Sequence, residues 1–77
     1  MREEKRTLAE LQPGNSGNIL EINSDDSIGQ RLLDMGFLPN TFVRLERIAP
    51  SGDPIWFKLR GYQVSLRKTE AKKIIIN

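Results

Sequence analysis

The 77-residue chain contains no cysteine and no histidine. Without cysteine there is no disulfide framework, no thiolate metal site and no thiol nucleophile. Without histidine the commonest general base and the commonest transition-metal ligand are both missing, so a serine triad cannot be assembled. Long apolar runs are missing as well. The longest aliphatic run is Ile74-Ile75-Ile76, far short of the ~20 apolar residues of a membrane-spanning helix. The N-terminal stretch Met1 to Arg6 is charged and has no apolar signal core, so the chain reads as soluble and cytoplasmic. Charge of one sign is also scarce: 12 Lys and Arg stand against 10 Asp and Glu. A formal charge of +2 makes no general case for nucleic-acid binding. The cations do gather, with Arg60, Arg67, Lys68, Lys72 and Lys73 in the C-terminal third, and a solvated face is the ordinary reading of such a run.

What is present fits one small domain, which at this size buries only about 60% of the surface its unfolded chain exposes. Residues 1–6 read as a disordered tail and 7–77 as the domain. Thr7 and Glu10 stand at capping-box spacing and predict a short helical turn near 7–11. After the turn at Pro13-Gly14-Asn15, residues 17–23 read as a strand, with Leu20 and Ile22 on one face and Glu21 on the other. The clearest helix covers about 26–36. Asp25, Asp26 or Ser27 caps it, and Ile28, Leu32 and Met35 form its apolar stripe, with Leu33 beside them. Gly36 and Pro39 end it. Gly29 inside it costs about 1 kcal/mol against alanine, which implies either a close approach or a short helix.

The remainder is β. Residues 42–48 place Val43 and Leu45 inward and Arg44 and Glu46 outward, with a slip at Arg47-Ile48 that predicts a bulge. Ile55, Phe57 and Leu59 share one face of the next strand; Trp56, Lys58 and Arg60 share the other. Gly61 turns the chain into a hairpin with residues 62–66. A helical turn near 68–73 and a last strand at 74–77 complete a mainly β fold. Its predicted architecture is a small, closed SH3-like β-barrel with one inserted α-helix.

Motifs for chemistry are sparse. Gly14-Asn15-Ser16-Gly17 lacks the Lys-Ser/Thr ending of a phosphate loop. Asn23, Asp25 and Ser27 mimic the start of a calcium loop, but its glycine falls one place late, at Gly29, and the closing glutamate is missing. Asp53, between Gly52 and Pro54, could serve a cation or a proton only with partners that nothing in the sequence supplies. An Asx-type turn onto nearby backbone is its simpler reading. Trp56 points away from the core-facing residues. It is either an exposed interface anchor or a ring folded under the N-terminal segment or the helix, and the pattern leaves both open. Arg60, Arg67 and Lys68, interleaved with Trp56 and Tyr62, allow a second reading as a single-stranded nucleic-acid or transcription-regulatory barrel.

Three ordered segments carry a family resemblance: Arg31-Leu32 with Met35-Gly36, Ala49-Pro50 with Gly52-Asp53-Pro54, and Ser65-Leu66-Arg67 with Glu70-Ala71. From about Leu8 to Ile76 the chain resembles the FeoA family. The resemblance implies an SH3-like barrel with a helical insertion and a non-enzymatic accessory or regulatory role in ferrous-iron uptake, without a cofactor. It implies a partner, the FeoB-type membrane transporter with its cytoplasmic GTP-binding domain, and membrane contact only through that partner. Similar domains also end iron-dependent repressors. Two positions depart from the family pattern: Asn40 stands where glycine is usual, and Ser51 replaces a bulky apolar residue. The expected contact surface is Ser51, Asp53, Trp56, Arg60 and Arg67, with Met35 and Phe37 as second choices. Self-association through Trp56 is a further expectation.

Overall fold

A computed structural model describes residues 6–77; the expected tail over residues 1–5 lies outside them. Arg6, grouped with that tail by the sequence reading, instead forms strand β1 (Arg6–Thr7) opposite Ile76 and Ile75. The chain then makes one 3₁₀ turn, Leu8–Glu10, where the predicted capping pair is half realised. The Glu10 carboxylate accepts from the Thr7 backbone N–H at 3.1 Å.

Strand β2 (Ser16–Ile22) divides its pairing between two neighbours. Its first residues pair with β3 (Phe42–Ile48), and Ile19 onward pairs with β6 (Ile74–Ile76). A register shift between Ile19 and Glu21 accompanies the change of partner. That bulge corrects the expected face: Ile22 stays against the core, but Leu20 is turned outward and is 54% exposed. β3 pairs with β4 (Ile55–Leu59), and β4 with β5 (Tyr62–Leu66), all antiparallel. The predicted bulge in β3 is present, between Leu45 and Arg47.

The six strands form one sheet in the order β1-β6-β2-β3-β4-β5. It curls around one core in which Leu8, Ile19, Leu32, Phe37, Leu45 and Phe57 are fully buried. Among the described residues no ladder joins β1 to β5. The expected closure is therefore made by side chains from both halves meeting in the core, while β1 and β5 remain edges.

Helix α1 (Ser27–Asp34) is capped by Asp26, whose Oδ1 accepts from the Gly29 N–H at 2.9 Å. Of the expected stripe, Leu32 is buried and Met35 is half-buried against the core, but Gly29 is buried in place of Ile28, which is 39% exposed. The reason is steric. A Cβ on Gly29 would lie 2.2 Å from Asn23 O and 2.5 Å from Ser24 Cα, so the helix docks by a bare backbone edge and rotates Ile28 outward. Gly36, at φ +104°, ends the helix, and Asn40 takes the left-handed conformation at φ +68°. A last helix, α2 (Lys68–Ala71), leads into β6.

Candidate functional site

Ile48 and Ile55 face each other across β3 and β4, and residues 49–54 close the hairpin between them. The Ala49 N–H donates to Pro54 O at 3.0 Å and the Gly52 N–H to Ala49 O at 2.8 Å. Gly52 sits at φ +97°, a conformation side chains disfavour, and the Asp53–Pro54 bond is cis. The Ser51 hydroxyl donates to Asp53 O at 3.0 Å.

The Asp53 carboxylate does not make the expected local turn. Its Oδ1 accepts from the Lys68 N–H at 2.6 Å, fifteen residues away and at the first position of α2. A carboxylate suits a helix start because it satisfies an orphan N–H and meets the positive end of the dipole. The neighbouring Arg67 N–H is taken by Glu70 Oε1 at 2.8 Å. Asp53 is thus a strut between loop and helix. Among the described residues, no three His, Cys, Asp or Glu side chains gather where they could hold a metal.

Trp56 lies on the outer face and is half-buried. The Arg47 guanidinium carbon stands 4.0 Å from the indole centroid, and the two residues are direct cross-strand partners. The bulge at Glu46 is what brings Arg47 to the outer side beside Trp56. Such a cation–π contact stabilises by roughly 0.5–1 kcal/mol at an exposed site.

Phe37 is fully buried, which corrects its place among the surface candidates: it packs in the core. Met35 is half-buried, and its carbonyl accepts from the Tyr62 hydroxyl at 2.6 Å. Arg60 and Gly61 form the two-residue turn between Leu59 and Tyr62, both at positive φ, +52° and +87°. That is the type I′ geometry matched to strand twist.

The predicted residues therefore fall into two groups. Ser51, Asp53 and Arg67 gather at the loop end of β4, with Trp56 beside them. Arg60 stands at the other end, five residues on, or about 17 Å along an extended strand, and Met35 joins that end through Tyr62. Arg67 and Arg60 are exposed.

Sequence reasoning passed over what lies between. Phe42, Arg44, Lys58, Leu59, Arg60 and Gly61 line a cleft of about 290 Å³ on the outer face. Phe42 is 59% exposed. The signal was available, because the alternation that sends Val43 and Leu45 inward sends Phe42 and Arg44 outward.

Away from this face, the Asp26 carboxyl is held below its ordinary range. The Lys73 ammonium, hydrogen-bonded to Oδ2 at 2.8 Å, lowers its pKa first, and the Gly29 N–H adds to the effect. No helix among the described residues is long and apolar enough to cross a membrane.

The family model described as the FeoA domain matches residues 6–77. A curated relative, the Fe(2+) transport protein A/Fe(2+) transporter FeoB fusion protein of Porphyromonas gingivalis, is 33% identical over 67 residues. That alignment covers 87% of this chain and only 8% of the fusion protein. The solution structure of a FeoA-like protein from Clostridium acetobutylicum superposes with a TM-score of 0.90 at 34% identity, over 99% of this chain and 88% of that one. A zinc complex of Stenotrophomonas maltophilia FeoA, described as a prokaryotic SH3 domain protein, gives a TM-score of 0.84 at 28% identity. It covers 94% of this chain and 89% of the other. The SH3-like architecture expected from the sequence is the one the chain adopts.

Proposed function

The chain belongs to the FeoA family, and from that premise we propose that it is a non-enzymatic accessory protein of ferrous-iron uptake. It acts in the cytoplasm by binding the cytoplasmic part of a FeoB-type transporter that carries a GTP-binding domain. Support comes chiefly from a covalent connection: in the Porphyromonas gingivalis relative a homologous segment shares one polypeptide with FeoB. Tethering of that kind supplies an effective concentration in the millimolar range for short flexible linkers, so a modest interface suffices.

The docking surface is the outer face of β3 and β4. Trp56 and Arg60 carry it, Ser51 and Arg67 border it at the loop end, and Met35 borders it at the other. Asp53 contributes by holding the loop on α2. A second copy of the chain would compete for the same surface if Trp56 mediates self-association.

The test is a titration of the full chain onto the detergent-solubilised transporter encoded in the same genome. The double variant Trp56→Ala/Arg60→Ala weakens binding at least tenfold, since truncating a central aromatic anchor and an arginine typically costs more than 1.4 kcal/mol. Circular dichroism of the variant stays native. Undiminished binding by a folded double variant refutes this surface, and no binding by the wild-type chain refutes the partner.

A further inference from the structure

The cleft on the outer face has an apolar floor and a wholly cationic rim. Phe42, 59% exposed, supplies the floor, with the buried Leu59 beneath; Arg44, Lys58 and Arg60 surround it. Arg44 and Lys58 are direct cross-strand partners, and like charges placed directly opposite destabilise an antiparallel pair. Among the described residues, Arg44 pairs with a carboxylate, Glu46, at 3.7 Å. Lys58 and Arg60 have no ion-pair partner among the described residues. The flanking outward positions Ser16, Asn18 and Gln63 are uncharged. The sheet thus holds two cations side by side, next to an exposed phenyl ring, and the described residues do not neutralise them all.

Resting on the transporter-binding reading above, we propose that this cleft receives an acidic segment of the partner carrying one large apolar side chain. The apolar side chain covers the exposed ring of Phe42, and flanking carboxylates pair with Arg44, Lys58 and Arg60. At about 290 Å³ the space lies at the lower limit of ligand clefts, suited to one side chain and not to a folded element. Single-stranded nucleic acid fits the face less well. Stacking needs open ring faces, whereas Trp56 has one face under Arg47 and Tyr62 is tied by its hydroxyl to Met35. Phe42 is left as the free ring.

The geometry makes a two-signed expectation. Lys58→Glu replaces a like-charge pair by an opposite-charge pair, so it raises the melting temperature by roughly 2–5 °C. The same change weakens binding of the acidic segment. A residue kept only for stability would not move the two readouts in opposite directions.

The probe is a fluorescein-labelled hexapeptide, Asp-Glu-Phe-Leu-Glu-Asp, with Asp-Glu-Gly-Gly-Glu-Asp and a 12-nucleotide oligothymidylate as comparisons, titrated onto the full chain at low salt. The apolar hexapeptide shifts the amide resonances of Phe42, Arg44, Lys58 and Gly61. The glycine control binds at least fivefold more weakly. Phe42→Ser and Lys58→Glu each reduce binding about tenfold in variants whose amide spectra remain native. Shifts confined to another face, unchanged binding by Lys58→Glu, or displacement of the peptide by a tighter-binding oligothymidylate each overturn the proposal. The transporter titration separates the two readings. If Phe42→Ser/Lys58→Glu binds the transporter as well as wild type, the cleft assignment falls and the transporter reading stands. If the hexapeptide maps to the cleft but the chain never binds the transporter, the cleft stands and the partner falls.

Discussion

Replacing Gly29 by alanine sets helix propensity against packing, and the structure decides the sign. In an exposed helix the change is favourable by about 1 kcal/mol. Here the new methyl would sit 2.2 Å from Asn23 O and 2.5 Å from Ser24 Cα, both backbone atoms that no rotamer change can remove. Either α1 lifts or residues 23–24 retreat. Residues 23–24 are tethered: the Asn23 N–H donates to Lys73 O at 2.9 Å, and Ser24 O accepts from Gln30 Nε2 at 3.0 Å. Lifting α1 stretches the Asp26–Gly29 cap, which is worth ~1 kcal/mol. Overpacking in a tight contact costs 1–3 kcal/mol. Together these leave a net loss of about 1–3 kcal/mol after the propensity gain. A domain of this size is stable by roughly 4–12 kcal/mol, so the fold survives but melts about 5–20 °C lower. Urea unfolding of both proteins, followed by circular dichroism, gives the same quantity independently as a lowered midpoint with an unchanged slope. An alanine variant as stable as wild type, or more so, refutes the close-approach account of α1.

Two further outcomes follow from the charged contacts. Asp53→Ala removes the acceptor for the Lys68 N–H and lowers stability by about 1 kcal/mol. Asp53→Asn, whose amide oxygen still accepts, recovers most of it; an equal loss in both variants would mean that the negative charge, and not the bond, holds α2. Asp26 has a folded-state pKa below its ordinary value, so its contribution is present above about pH 4 and is lost as pH falls through the depressed value. Lys73→Met removes the first cause of that depression. Acid unfolding curves of wild type and Lys73→Met should therefore differ near neutrality and converge at low pH, and parallel curves would refute the coupling.

The strands legible in the sequence were those whose faces are set locally. Val43 and Leu45 in β3, and Ile55, Phe57 and Leu59 in β4, alternate without interruption and are all buried. Leu20 and Ile28 were misplaced because a distant partner decides their direction. Leu20 is turned by the bulge at which β2 exchanges β3 for β6, and Ile28 by the backbone contact under Gly29. Asp53 reads from the sequence as a local turn residue, yet its acceptor function spans fifteen residues and leaves no local trace. Phe37 and Trp56 show the same limit: each is apolar beside a turn, and only the closed fold buries one and leaves the other on the outer face. The cleft was readable in part, since Phe42 obeys the alternation of its own strand, but the meeting of Arg44 with Lys58 required the β3–β4 register.

The contact between Arg47 and Trp56 has an optical consequence. Trp56 is the sole tryptophan of the chain, so indole emission from the whole protein originates at one point on the outer face of β4. A guanidinium 4.0 Å from the ring centroid sets the field that the excited indole feels. A ligand that draws Arg47 away from the ring, or excludes water from its open side, changes the colour and yield of that emission. The protein carries its own dye two residues from Lys58, and occupancy of this face can be read without attaching a label.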